Sequence, residues 1–191
     1  MLTAGGNYEN ETFVQTDFNE QDLKAVELSD CTLEKCTFIG SHLMNSSFKE
    51  VVFKGVDFSG CNISRCSFRD VQFVNCRFIG ANLSEGFFQN VEIAGCNAEY
   101  VNFSVSKMRW LNAKDSKLKC AAFEAVKMEH TAFEKCDLSE STWHRTPMKG
   151  LDVSSCDIMG ISAGEYEMRG LVIDALQATC LVGLFGIKIK E

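Results

Sequence analysis

Proline is almost missing from this chain: there is one, Pro147, in 191 residues. Histidine is scarce too, at three, and basic residues are outnumbered 26 to 19 by acidic ones. Each shortage excludes something. A net charge of −7 argues against a protein whose affinity comes from pairing basic side chains with phosphate. The first residues, Met1 to Tyr8, carry neither a basic n-region nor an apolar h-region, so a secretory leader is not expected. The longest apolar stretch, Cys180 to Ile187, is too short to span a bilayer, so no membrane partner is expected. There is no Gly-rich phosphate loop, no ligand-spaced histidine pair and no carboxylate pair set in a recognisable pocket. Neither an enzyme nor a cofactor-binding protein is expected.

What the chain has in abundance is phenylalanine, fifteen residues, and cysteine, ten. Ten cysteines suggest a disulfide framework or zinc. Counting every fifth residue from Tyr8 removes that suggestion. The series runs through Phe13, Phe18, Leu23, Leu28 and Leu33 and continues unbroken to Met168 and Ile173. All thirty-four positions are apolar, which at 46% hydrophobic composition has a chance probability on the order of 10⁻¹¹. Thirteen of the fifteen Phe fall on this register. Two residues earlier lies a second series of small or β-branched residues, which takes in eight of the ten Cys; Cys120 and Cys180 are outside it.

A period of five fits neither helix nor simple strand. It fits an extended segment with one large and one small residue facing inward, followed by a turn. Four such sides close a square coil of twenty residues, and stacked coils pair their backbones at about 4.8 Å. The expected architecture is all-β, a quasi-one-dimensional solenoid of about eight coils, roughly 40 Å long, with a packed interior. Near-absence of proline is then a requirement, since proline removes a ladder donor. Pro147 falls just before an inward Met and is expected to be a mild local departure. Cys31/Cys36 and Cys61/Cys66 are five apart, unlike common zinc spacings, so the cysteines read as small core residues and free thiols. Met108, Met128, Met148 and Met168 should stack on one side as core filling.

Quintets such as Cys76-Arg-Phe-Ile-Gly80, Val56-Asp-Phe-Ser-Gly60, Ala81-Asn-Leu-Ser-Glu85 and Cys136-Asp-Leu-Ser-Glu140 resemble the pentapeptide-repeat family over about residues 6–173. The resemblance implies a right-handed quadrilateral parallel β-helix. Residues 1–173 form the expected repeat domain and residues 174–191 its end. There Asp174 can cap a short helix over 175–185, with Leu176, Cys180, Leu181 and Leu184 near one face; Gly186 can end it, and 187–191 alternate like an edge strand.

Sorted by side, charge concentrates on the one centred on Phe18, Phe38, Phe58 and Phe78, at net −4. It carries Asp17, Glu20, Asp57, Glu99, Asp137, Glu140 and Asp157, interrupted by Arg77, Lys117 and Lys119. A basic patch lies at Lys107, Arg109, Lys114, Lys117 and Lys119. Within the family, size, the unbroken array and the stretch from Cys136 through Trp143 to Ser154 are similar to the Qnr and MfpA group, in its loop-free form. That likeness implies a cytoplasmic partner, DNA gyrase and topoisomerase IV, protected from fluoroquinolones by an acidic rod that mimics DNA without binding nucleic acid directly. It also implies a homodimer through the terminal helix, with Leu176, Cys180, Leu181, Leu184, Phe185 and Ile187 as interface. The alternative is a pentapeptide-repeat scaffold for another protein-protein interaction.

Overall fold

The computed structural model describes residues 1–188. It is a quadrilateral parallel β-helix in which residue i stacks on residue i+20. The strands are β1 (Asn7–Glu9), β2 (Thr12–Val14), β3 (Glu27–Ser29), β4 (Thr32–Glu34), β5 (Ser47–Lys49), β6 (Val52–Lys54), β7 (Ser67–Val74), β8 (Phe87–Ala94), β9 (Lys107–Lys114), β10 (Lys127–Glu129) and β11 (Ala132–Glu134). They make two of the four walls, which merge around a corner where β7, β8 and β9 run continuously through it. The other two walls hold together through single bridges, one chain of which runs Asp17, Thr37, Asp57, Arg77, Asn97, Lys117, Asp137, Asp157.

The corners explain the period. Every fifth residue from Gly5 to Gly150 has a left-handed backbone, with φ between 49° and 78°. Twenty-three of these residues are not glycine. Each such residue costs about 1–2 kcal/mol in isolation. The cost is offset by the ladder, because the corner N–H donates to the coil above: Lys35 to Lys54 at 2.8 Å, Arg65 to Ser84 at 2.9 Å, Ala125 to His144 at 2.9 Å. A residue with φ near +60° in every quintet is what turns the chain through a right angle while keeping both flanking segments extended.

The walls differ because of a second local device. At the outward position before the large apolar residue, Asp or Asn accepts the backbone N–H two residues on: Asp57 from Ser59 at 2.9 Å, Asn82 from Ser84 at 3.1 Å, Asn102 from Ser104 at 2.9 Å, Asp137 from Ser139 at 3.0 Å. These Asx turns tighten the two bridge-only walls and shorten their extended stretch to a single residue.

Inside, the large residues form columns. Phe18, Phe38 and Phe58 stack at 4.8 and 5.2 Å, Phe53 lies on Phe73 at 5.0 Å, and Phe123 on Trp143 at 4.2 Å. Neighbouring columns meet edge to face, as Phe48 does Phe53 at 5.7 Å. Each such pair adds about 0.5–1.5 kcal/mol beyond its area. The small-residue column fills the remaining corners, and Cys31, Cys36, Cys61, Cys66, Cys76, Cys96, Cys136 and Cys156 are all buried.

Two departures from expectation occur near the end. The last coil contains a helical turn, α1 (Glu165–Met168), and no left-handed corner at Ser155 or Glu165. The terminal helix α2 spans Gln177–Val182 and passes into a 3₁₀ turn, Gly183–Phe185, closed by Gly186 at φ 70°. It is therefore shorter than 175–185. Asp174 and Gln177 exchange reciprocal hydrogen bonds of 2.8 Å across the turn that precedes it, a capping box one turn early. Gln177 is buried, and its amide also donates to Val153 and Cys156 carbonyls at 2.8 and 2.7 Å. It satisfies backbone acceptors that the missing next coil would have taken. The expected edge strand over 187–191 is not formed at Ile187 and Lys188, and residues 189–191 lie outside the described residues.

Pro147 is more than a mild departure. Elsewhere the wall containing β10 repeats two bonds, from N–H of i to the carbonyl of i+19 and from N–H of i to the carbonyl of i−21. Between β10–β11 and residues 147–154 none of these is made, among the described residues. The ladder resumes one coil later, with Met148 donating to Glu167 at 2.8 Å and Val153 to Val172 at 2.9 Å. It also holds across the same two coils on the other walls, as Phe123 donates to Thr142 and Leu138 to Asp157. Pro147 has no N–H for the Val126 carbonyl, and its ring occupies the direction in which that N–H would point. The inward register survives, so Met148 and Leu151 remain buried, but the coils part along two walls.

Val105 is the one β-branched residue among the left-handed corners, at φ 63°, with 59% of its surface exposed. Val105→Asn removes the strain and loses no core contact. It should raise stability by about 1 kcal/mol and the melting temperature by about 2–4 °C; an unchanged or lower midpoint in a thermal scan would show that the corner is not strained.

Candidate functional surface

The register assembles the acidic side. Asp17, Asp57, Asp137 and Asp157 stand in one column, and Glu20 and Glu140 occupy left-handed corners beside it. Glu99 lies on the same wall, where its N–H is held by Asn97 at 3.2 Å. The local chemistry shows what these carboxylates do first. Asp17, Asp57, Asp137 and Asp157 each accept the N–H of the residue two ahead, at 2.8–3.0 Å. One carboxylate oxygen is thus spent on the turn. Asp57 gives its second oxygen to Arg77 at 3.3 Å. Glu140 binds Lys119 at 3.0 Å, and this ammonium holds its carboxyl below the usual range. Asp57 and Glu140 are therefore neutralised, while Asp17, Glu20, Asp137 and Asp157 make no ion pair among the described residues.

The wall centred on Leu28, Phe48 and Phe68 is neutral in total but strongly polarised along the rod. Glu9, Glu27, Asp30, Glu50 and Asp70 outnumber Lys49 and Arg69 in its early coils; Lys107, Arg109, Lys127, Lys149 and Arg169 outnumber Glu129 and Glu167 in its late ones. The expected basic patch divides accordingly: Lys107, Arg109 and Lys114 are on β9, whereas Lys117 and Lys119 are on the acidic wall. An exposed aromatic pair joins this wall, Trp110 stacked on His130 at 5.2 Å and 9°. Sequence reading did not find this pair. Its signal was the twenty-residue spacing of two aromatic rings at corner positions.

At the cap, Leu176, Leu184, Phe185 and Ile187 are exposed, at 80, 43, 52 and 57%. Leu181 packs against the core and Cys180 is half-buried. Of the six expected interface residues, four face outward.

The ten thiols are all free. Burial pushes the Cys66 thiol up to about 12 and holds Cys61 well above the usual thiol range. Cys76 and Cys136 are raised too, first by the thiols of Cys96 and Cys156 in the next coil and then by burial. His42, His130 and His144 do not converge, and among the described residues no three His, Cys, Asp or Glu side chains gather to hold a metal. No helix there is long and apolar enough to cross a membrane.

A parallel β-helix whose outward residues are arranged in straight columns over a filled interior defines a class of rod-shaped scaffold. A family model described as the pentapeptide repeat region matches residues 26–103 and 66–143, and the chain belongs to the pentapeptide-repeat family. Among solved structures it is similar to a trypsin-treated form of QnrB1, a plasmid-mediated fluoroquinolone resistance protein. The two are 19% identical, with a TM-score of 0.41, covering 98% of this chain and 93% of that one. It is also similar to HetL, a pentapeptide repeat protein involved in heterocyst differentiation regulation from the cyanobacterium Nostoc sp. strain PCC 7120. There the identity is 15% and the TM-score 0.37, with 86% and 90% coverage. A pentapeptide repeat protein of the Arabidopsis thaliana thylakoid lumen matches at 16% identity and a TM-score of 0.20, covering 78% of this chain and 72% of that one. No curated protein matches the sequence.

Iodoacetamide at pH 8 on the native protein should modify Cys180 and Cys120 and leave the eight inward thiols unreacted until denaturant is added. Mass spectrometry of the digest reads this directly. Early modification of Cys61 or Cys66 would show that the core opens.

Proposed function

We propose that the protein acts through its outer surface as a partner of DNA gyrase and topoisomerase IV in the cytoplasm, mimicking DNA with its acidic side and protecting the enzymes from fluoroquinolones. The observation that carries this reading is the single column that aligns Asp17, Asp57, Asp137 and Asp157 along the rod. The sequence resemblance to the Qnr and MfpA group supports the choice of target. A second reading, a pentapeptide-repeat scaffold for a different protein, is favoured by the Asp57–Arg77 and Glu140–Lys119 pairs, which neutralise one carboxylate of that column and one at the corner beside it.

The turn chemistry supplies a clean test. Asparagine keeps the oxygen that accepts the turn N–H and removes the charge. A variant with Asp17, Asp57, Asp137 and Asp157 all changed to Asn should therefore fold with little loss of stability. In a supercoiling assay with ciprofloxacin the parent protein should restore gyrase activity at micromolar levels, and this variant should need at least tenfold more. Equal potency of the two would remove DNA mimicry; no effect of the parent on either enzyme would leave the scaffold reading.

The cap is proposed to join two copies, since Leu176, Leu184, Phe185 and Ile187 form an exposed apolar group at one end of the rod. Leu184→Glu with Phe185→Glu should give a 21.3 kDa species in sedimentation, where the parent runs at twice that mass. Leu181 is unsuitable for this purpose because it packs into the core. A parent that sediments only as the smaller species would end the dimer proposal.

A further inference from the structure

The parted coils at Pro147 have a use that the acidic side does not share. We propose that the seam between β10–β11 and residues 147–154 is a docking slot for an extended acidic segment of a partner protein, bound as an added strand. This rests on the seam itself and not on the identity of the target proposed above.

Three observations meet there. First, the backbone edge is unpaired. Met128, His130, Phe133 and Lys135 would each donate to the following coil in the regular ladder, and none does so to a backbone carbonyl; Lys135 turns to the Ser155 hydroxyl at 3.0 Å. The carbonyl of Val126 faces a proline. Unpaired donors and acceptors along an extended edge are what an incoming strand recognises. A buried hydroxyl, Thr131 Oγ1, also lacks any partner, although its position in the coil is the inward small-residue site.

Second, the seam is open. A cavity of about 230 Å³ is lined by Met128, His130, Thr131 and residues 147–151. On the other side of Pro147 lies a second, of about 450 Å³, bounded by residues 125–129 and Arg145. The walls on which the ladder persists close the back of the gap, so it is a wedge with its mouth on the polarised wall.

Third, the mouth is cationic. Lys127, Arg145 and Lys149 line its two cavities together with Glu129, and Lys107 and Arg109 stand one coil before Lys127 and Glu129. Arg109 is held by Glu129 at 3.0 Å and Arg145 by Glu124, while Lys107, Lys127 and Lys149 form no ion pair among the described residues. Unpaired ammonium groups beside unpaired backbone favour a strand with carboxylates on its outward positions and apolar residues directed into the cavities. The flat Trp110–His130 stack borders the mouth and offers apolar area to such a strand.

The test uses the full chain and a fluorescein-labelled peptide of alternating Asp and Val, with alternating Lys and Val as control. In the free protein, amides of Met128, His130 and Phe133 should exchange with deuterium at least tenfold faster than those of Met108, Trp110 and Ala113, one coil earlier. The acidic peptide should slow these three and raise its own anisotropy, and the basic peptide should do neither. Pro147→Ser restores the donor and should close the seam, protecting the three amides and weakening the acidic peptide at least tenfold. Lys127→Glu with Lys149→Glu leaves the backbone alone and should weaken it to the same degree. Three amides already protected in the free protein would overturn the proposal. So would an acidic peptide that fails to protect them, or one that binds the double Glu variant as tightly as the parent.

Discussion

The fold rests on the backbone ladder between coils. Each side of the square is at most four extended residues, too short for stable pairing alone, and each corner holds a residue in a conformation that most side chains resist. Neither is sustainable in one coil. Stacked, the corner N–H and the wall amides find acceptors nineteen residues ahead or twenty-one behind, and the strained corners become the points at which adjacent coils are fastened. Everything inside follows from that spacing. Rings at a rise of one strand separation stack face on face, and a column of cysteine or valine fits beside them because a larger residue would push the coils apart.

This accounts for what the sequence revealed and what it concealed. The inward register was legible because a five-residue period in apolar side chains has no other easy explanation, and the columns of Phe and Cys stand where the period puts them. The left-handed corners were not legible. Glycine usually marks such positions, yet here Trp110, Val105, Arg65 and twenty others occupy them, because the ladder rather than residue preference sets the backbone. The terminal helix was read in kind but placed too early, since Gln177, which carries no periodic signal, is the buried plug that completes the last coil. The acidic side was legible as a set of positions. Its electrostatics were not, because whether Asp57 meets Arg77 depends on which side chains stack one coil apart and turn towards each other.

The Asx turns make the acidic column ambiguous in a productive way. An aspartate at the outward position serves the fold through one oxygen, and asparagine at Asn62, Asn82, Asn97 and Asn102 serves it equally well. Structure therefore requires an amide or a carboxylate there but not a charge. Where the chain has Asp17, Asp137 and Asp157 in place of Asn, the fold does not need the charge, and it remains available for recognition. The same reasoning discounts Asp57, whose charge is taken up by Arg77.

Pro147 inverts the argument. A ladder that fastens every coil makes the rod continuous, and one residue without an N–H interrupts it over two walls while leaving the core register intact. Side-chain packing and backbone pairing are thus separable in this fold: Met148 and Leu151 are held by the columns above and below, whereas the amides opposite them are held by nothing but the neighbouring coil. A single proline in 191 residues is the exception that shows what its absence elsewhere secures. It leaves unpaired donors beside unpaired lysines on the late, cationic half of the polarised wall, at some distance around the square from the acidic column. The rod consequently presents two chemically opposite surfaces, one made of side chains in register and one made of backbone left out of register.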